Sequence, residues 1–179
     1  QAVRDFSQAL EIDEKFVPSI IHRGQAHGAL GTVKSSLRDL KQAVEIDPRS
    51  QEAFTALCQA KRLAKDHAGA LEDCTQAAEL DPFHGPAYLH RGLTYLALRQ
   101  YEKALEDIDT AARLGTRRAE GLLAQSVAAA ANRQYKQAHK FYELALLIDP
   151  LAHSPEIPFG VAKGDSEDYF NAISDLEPA

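Results

Sequence analysis

The chain has 179 residues and a formal net charge of −6, and neither its charge nor its hydropathy pattern fits a nucleic-acid-binding or membrane-spanning protein. Residues 153–179 hold one lysine and six acidic residues, so residues 1–152 are close to neutral. The sequence has no basic stripe for a phosphate backbone, and no apolar run approaches the roughly 18 residues that cross a bilayer. We therefore expect neither nucleic acid binding nor membrane insertion.

Residues 1–16 predict the first helix. Its apolar side chains recur every three or four residues and mark one buried face; they are Ala2, Phe6, Ala9 and Ile12. The same spacing recurs in the second half of each of the blocks that follow. We therefore expect residues 1–16 to be the second helix of a preceding repeat, in an excerpt of a longer array.

From Val17 the sequence repeats with a period of 34 residues. The four blocks cover residues 17–50, 51–84, 85–118 and 119–152. Position 8 of the blocks is occupied by Gly24, Cys58, Gly92 and Ser126. Position 20 is occupied by Ser36, Ala70, Ala104 and Ala138, and position 27 by Ala43, Ala77, Ala111 and Ala145. Position 32 is proline at Pro48, Pro82 and Pro150, with Thr116 as the exception.

Each block predicts two helices, because it holds two apolar-periodic stretches separated by a short break. Helices joined by so short a turn lie side by side, and the small residues at positions 8 and 20 allow a close approach. A leucine at position 27 would overpack the interior by roughly 1–3 kcal/mol. Asp-Pro pairs end the second helices, since the residue before proline is pushed out of the helical region. In the third block, Gly115 is expected to do this in a left-handed conformation.

This pattern of small residues and proline in a 34-residue period resembles the tetratricopeptide repeat, a helix–turn–helix unit. The resemblance covers residues 17–152. It implies an all-α fold, a right-handed solenoid of helical hairpins, and a function in binding other proteins.

In that family the first helices line a concave groove, and positions 2, 5, 6, 9, 12 and 13 tend to face it. The resemblance therefore implies a groove whose character here becomes more apolar along the chain. We predict a partner-binding site at Leu89, His90, Leu93, Leu123 and Val127, suited to a partner helix or peptide. Packing between repeats is the alternative explanation for the same apolar residues.

One known partner class of the family does not fit the groove positions. Family members that clamp the C-terminal carboxylate of heat-shock chaperones carry lysine and asparagine at positions 5 and 9 of one repeat. This chain has Ile21 and Gln25 there, and a later lysine and arginine pair is replaced by Pro86 and His90. Because no cationic fork is available for a carboxylate, we do not expect a chaperone C-terminus as the partner.

The sequence offers no motif for catalysis, a metal or a cofactor. The seven histidines show no zinc-binding spacing, and no glycine-rich phosphate loop is present. We therefore expect no catalytic, cofactor-binding or metal-binding residues and no enzymatic activity within these residues. Cys58 and Cys74 occupy packing positions and are interpreted as buried free thiols of a reducing compartment. This interpretation predicts a cytoplasmic, or alternatively nuclear, location.

Residues 153–179 depart from the period and predict an extended crossing followed by an acidic helix. Asp165 or Ser166 can cap this helix, and its apolar stripe consists of Tyr169, Phe170, Ile173 and Leu176. Two roles are open. The helix could shield the end of the last repeat, as repeat arrays require, or it could fold into the groove and occupy the binding site.

Two other functional interpretations are compatible with the same pattern. The chain could be a structural subunit of a larger assembly, with self-association as one form of it. It could also be the targeting module of an enzyme whose catalytic domain lies outside this segment.

Overall fold

The computed structural model describes residues 1–116, 118–131 and 134–148, and every regular element in these ranges is an α-helix. The elements in chain order are α1 (Ala2–Ile12), α2 (Val17–Ala29), α3 (Val33–Ile46), α4 (Gln51–Leu63), α5 (His67–Leu80), α6 (Gly85–Ala97), α7 (Tyr101–Arg113), α8 (Arg118–Ala131) and α9 (Tyr135–Ile148). The predicted all-α fold of helical hairpins is confirmed. The helix predicted in residues 153–179 lies outside the described residues.

The helices pair into hairpins, two to each 34-residue block. We call α2–α3, α4–α5, α6–α7 and α8–α9 the first to fourth hairpins. In the first, second and fourth, the paired helices are in extensive contact, and α1 packs against α2. None of the described helices is both long enough and apolar enough to cross a membrane.

In the first three hairpins, the turn between the two helices closes around a residue in the left-handed conformation. Gly31, Lys65 and Arg99 have φ of 73°, 64° and 58° and share position 15 of their blocks. In the first hairpin the N–H of Thr32 reaches back to the carbonyl of His27 at 2.9 Å, and equivalent bonds close the second and third. These bonds satisfy carbonyls that the helix end leaves open. The left-handed lysine and arginine were not predicted from the sequence.

The predicted Asp-Pro ends of α3 and α5 are confirmed, and the third predicted pair, Asp149-Pro150, lies outside the described residues. Helix α3 ends at Ile46 and α5 at Leu80, so Asp47 and Asp81 are the caps, both with non-helical backbone angles. The Asp81 carboxylate accepts a hydrogen bond from the N–H of Phe83 at 2.9 Å, a local turn that aspartate favours. After α7, Gly115 has a φ of 78°, as expected where proline is missing.

The chain divides into two compact units, residues 1–90 and residues 91–179, and the division falls within α6. In the first unit the core joins α1 to α4 around the fully buried Ile20 and Leu40. Burying such a side chain contributes about 1.5–3 kcal/mol. In the second unit, Leu96 and Ile108 are fully buried, and Leu123 packs with Ala145 of α9.

The interpretation of the cysteines as free thiols is wrong. A disulfide joins Cys58 of α4 to Cys74 of α5, with their Cα atoms 5.4 Å apart. Positions 8 and 24 face each other across the hairpin, so two cysteines there lie within bonding reach. Both are completely buried.

Candidate protein-binding site and the hairpins that build it

In the first hairpin, and likewise in the third, the two helices cross at a glycine that faces a large side chain of the other helix. A Cβ atom placed on Gly24 would lie 2.7 Å from Cγ of Leu40, and one on Gly92 would lie 2.7 Å from Cγ1 of Ile108. Each large side chain therefore fills the space that the glycine leaves. In the second hairpin, Cys58 and Cys74 occupy these two positions and are joined covalently.

An arginine–aspartate pair also ties the two helices of the first and third hairpins. Arg23 donates to both carboxylate oxygens of Asp39, at 2.7 and 3.1 Å. Arg91 does the same to Asp107, at 2.7 and 2.8 Å. Such two-pronged bonds fix the guanidinium and the carboxylate in one geometry. Since the Asp39 side chain has no exposed surface, the charge of its partner is essential there.

The second hairpin keeps the aspartate but replaces the arginine. Position 7 is Leu57, and Lys61, one turn later, forms the ion pair with Asp73 at 2.7 Å. Burial is the main effect on Asp73 and raises the pKa of its carboxyl group, while the hydrogen bond and charge of Lys61 act in the opposite direction. A single ammonium group thus compensates the buried carboxylate only in part.

The predicted site residues fall in both compact units. In the first unit, Leu89 is buried and His90 is half-buried. In the second unit, Leu93 and Leu123 are buried, whereas Val127 is half-buried and packs against the cluster of Leu123 and Ala145. The structure brings Leu123 and Val127 together on α8. The buried leucines support the fold, and His90 and Val127 are the members with surface to offer a partner.

Groove positions of the first unit carry polar surface. His22 is exposed. Its ring centroid lies 5.4 Å from that of Phe6, and its Nδ1 lies 3.1 Å from the side-chain oxygen of Gln25.

Within the residues described, no three histidine, cysteine, aspartate or glutamate side chains are grouped to hold a metal ion. Burial lowers the pKa of His84, with Asp81 and Glu52 opposing.

Comparison with known proteins identifies a repeat family in part of these hairpins. The family model of the tetratricopeptide repeat matches residues 74–106, which include the second half of α5, all of α6 and the start of α7. Residues 74–106 are a tetratricopeptide repeat, and the described hairpins have the tetratricopeptide repeat fold. No curated protein matches it in sequence.

Solved structures of tetratricopeptide repeat proteins share the fold. TTC0263, a thermophilic TPR protein of Thermus thermophilus, superposes with a TM-score of 0.76 at 21% identity, over 96% of this chain and 89% of that chain. A chain of the APC/C hetero-tetramer Cut9–Hcn1 gives a TM-score of 0.78 at 17% identity, over 97% of this chain and 34% of that chain. The first TPR of Spaghetti (RPAP3), bound to the HSP90 peptide SRMEEVD, gives 0.56 at 20% identity, over 72% of this chain and 94% of that chain.

The arginine–aspartate pairs of the first and third hairpins were missed by sequence reasoning, although a signal was present. Aspartate recurs at position 23 as Asp39, Asp73 and Asp107, in a helix face otherwise apolar. Arginine stands at position 7 in two of the same blocks, as Arg23 and Arg91. A charge that recurs at buried positions needs a partner at a fixed distance along the chain, and here the separation is 16 residues.

Proposed function

We propose that the chain is a non-catalytic scaffold that binds a helix or peptide of a partner protein through the groove surface of its first helices. The residues of the proposed site are Leu89 and His90 in the first unit, and Leu93, Leu123 and Val127 in the second. The division into repeats at residues 17, 51, 85 and 119 is part of this proposal. The observation that carries it is the tetratricopeptide repeat fold, since this fold presents helix faces for protein recognition.

The half-buried His90 and Val127 support the choice of site. Each adjoins a buried leucine on its own helix, Leu89 on α6 and Leu123 on α8. A partially accessible side chain above a rigid apolar base can accept an apolar anchor without reorganising the fold. The buried leucines then act by positioning, and the accessible pair makes the contacts.

The partner class is narrower than for the family as a whole. The RPAP3 repeat structure is described as bound to an HSP90 peptide. This chain carries Ile21, Gln25 and Pro86 where a carboxylate clamp has lysine, asparagine and lysine, so both cationic side chains are missing. We therefore propose a partner segment recognised by apolar anchors, and not by a terminal carboxylate.

Selection from a library of displayed random peptides, followed by titration, tests the proposal. His90→Glu and Val127→Glu should each weaken the selected peptides at least about tenfold, which is roughly 1.4 kcal/mol. Glu72→Gln on the exposed face of α5 is the control and should leave affinity unchanged. Peptides that bind both glutamate variants as tightly as the unaltered chain would refute the site.

A second candidate is a structural subunit of a larger assembly. Large apolar side chains at Ile12 and Phe83 are exposed, which favours further protein contacts. Light scattering over a range of concentrations distinguishes self-association from a monomer. Association through the groove would be broken by Val127→Glu, whereas association elsewhere would persist.

The cytoplasmic or nuclear location stays a prediction, and it has lost its main argument. It depended on free thiols, whereas Cys58 and Cys74 form a disulfide. Disulfides form and persist mainly in oxidising compartments. A role as the targeting module of an enzyme is neither favoured nor opposed by the described residues.

A further inference from the structure

Helix α9 exposes an apolar stripe that no other described second helix has. Leu144 is 38% exposed, Leu147 is 79% exposed and Ile148 is 49% exposed. They are spaced three and four residues apart and so lie on one face. We call Leu144 and Leu147 the outer stripe of α9, and Ile148 adjoins it.

The outer stripe occupies positions that are polar in the earlier hairpins. Leu144 and Leu147 stand at positions 26 and 29 of their block. The corresponding residues in α3, α5 and α7 are Gln42, Gln76 and Thr110 at position 26, and Glu45, Glu79 and Arg113 at position 29. Because polar side chains serve at these positions in three hairpins, the leucines are not needed for packing inside a hairpin.

A following repeat does not cover these positions either. Helix α3 is followed by α4 and packs against it, yet Gln42 and Glu45 remain exposed. Helix α5 is followed by α6, where Ala87 packs with Ala77 and Ala78, yet Gln76 and Glu79 remain exposed. A cap that took the place of a fifth repeat would therefore leave Leu144 and Leu147 in water. Whatever covers them must lie along the outer side of α9.

We propose that the outer stripe of α9 is the docking site for residues 165–176 of the same chain. The sequence of this segment predicts an amphipathic helix whose apolar residues Tyr169, Phe170, Ile173 and Leu176 form a matching stripe. This assignment concerns the outer side of one helix and does not depend on the proposed groove. It replaces the expectation of an end cap with a side-on contact.

The chain supplies enough length for this contact. Residues 149–164 connect the segment to α9 and extend to roughly 50 Å at about 3.3 Å per residue. Helix α9 has 14 residues and is roughly 21 Å long at about 1.5 Å per residue. The segment can therefore lie along the helix in either direction. Covalent attachment also gives it a millimolar effective concentration, which a separate partner would have to match.

Charge favours the same occupant. Lys140 is exposed one turn before Leu144 on α9. The segment carries Glu167 and Asp168 at its start and Asp175 near its end, with no basic residue between them. Docking by the apolar stripe would leave these acidic groups at the edges of the contact, where they remain hydrated and can approach a lysine.

Hydrogen exchange followed by mass spectrometry on the full chain tests the proposal. The backbone amides of residues 165–176 should exchange at least about tenfold more slowly in the unaltered chain than in L144E/L147E, because docking protects them. Phe170→Glu with Ile173→Glu should abolish the protection and increase the binding of an apolar dye. Leu30→Glu, which alters another exposed leucine, is the matched control and should change neither quantity.

Three results would overturn the assignment. Rapid exchange of residues 165–176 in the unaltered chain would mean that the outer stripe is open to a separate partner. Protection that survives L144E/L147E would place the segment elsewhere, the groove included. A dimer that L144E/L147E converts to a monomer in light scattering would make a second copy the occupant. Circular dichroism of each variant establishes that the helices are retained.

Discussion

The first and third hairpins and the second hairpin have the same geometry but use different chemistry to hold their helices together. In the first, Arg23 binds Asp39 with two hydrogen bonds, and Gly24 admits Leu40 at the crossing. The third repeats this arrangement. In the second, a disulfide occupies the crossing and a lysine replaces the arginine. The crossing therefore accepts either a shape match or a covalent bond.

The difference shows how a repeat stays folded without the arginine–aspartate ion pair of its neighbours. Leu57 stands where the neighbouring hairpins have arginine, so Asp73 loses its two-pronged partner. Lys61 reaches Asp73 from one turn later, but it offers one point of attachment where arginine offers two. The disulfide supplies a second tie that depends on neither charge nor salt. The second hairpin thus has a disulfide and a lysine ion pair where the first and third hairpins have a two-pronged arginine ion pair.

Of the changes that test this comparison, removal of Arg23 should lower the free energy of unfolding most. Arg23→Ala leaves the Asp39 carboxylate buried with only Arg38 near it, at 3.5 Å, and should cost roughly 3–5 kcal/mol of unfolding free energy. Arg38→Ala is the control, because its side chain is 74% exposed, and it should cost about 0–1 kcal/mol. Urea denaturation measures both. Equal losses in the two variants would show that Asp39 does not depend on Arg23.

Adding a side chain where the two helices cross should have the second-largest effect on stability. Gly24→Ala forces a Cβ to within 2.7 Å of Leu40 and should destabilise the chain by roughly 1–3 kcal/mol. Gly121→Ala on α8 meets nothing within 4 Å. It should instead stabilise by roughly 0.5–1 kcal/mol, because alanine favours the helix. Opposite signs for these two alanines in thermal unfolding are the expected result, and a common sign would contradict the shape match.

The turns of the hairpins give a smaller effect. Lys65 is left-handed, with a φ of 64°, at the position where the first hairpin has Gly31. Lys65→Gly should stabilise the second hairpin by roughly 0.5–1 kcal/mol, since glycine adopts this conformation without steric cost. Gly31→Ala should destabilise the first hairpin by a comparable amount. Hydrogen exchange of the two turns measures both, and no change in either would exclude backbone strain.

The smallest effect is a dependence on pH in the second hairpin. Burial raises the pKa of Asp73 above its ordinary value of 3.8, so the folded state holds the proton more tightly than the unfolded state does. The resulting loss of stability is complete above the raised pKa, fades as the pH falls through it, and vanishes below 3.8. Asp73→Asn removes the titration, so its stability relative to the unaltered chain should decrease as the pH falls. A pH-independent difference would contradict the raised pKa.

Much of this arrangement was predictable from local chemistry. Alanine at position 27, the Asp-Pro helix ends and the left-handed Gly115 each follow from sterics that one or two residues decide. The disulfide was not predictable in that way. Cys58 and Cys74 share the 16-residue separation of Gly24 and Leu40, so the spacing alone indicates packing. Only the placement of both side chains on facing sides of one crossing shows that the sulfur atoms meet.

The sequence placed the residues of the candidate site on the first helices of their hairpins, but it could not predict their burial. The groove positions identified Leu89, Leu93 and Leu123, and the structure buries all three. Exposure depends on neighbouring helices far along the sequence, so a repeat pattern cannot distinguish an apolar base from an apolar contact. Neighbouring helices likewise determine that His90 and Val127 are half-buried.

The most direct test is hydrogen exchange of the hairpins before and after reduction. It shows whether the disulfide stabilises the second hairpin in place of an arginine–aspartate ion pair. Closing a loop of this size contributes about 3 kcal/mol, so reduction should speed amide exchange in α4 and α5 by roughly a hundredfold. Helices α2 and α3, held by Arg23 and Asp39, should change far less. Because both sulfurs are buried, the chain is reduced in denaturant and refolded with its thiols kept reduced, and intact mass verifies the reduction. Unchanged exchange in α4 and α5, or an equal rise in both hairpins, would contradict the account.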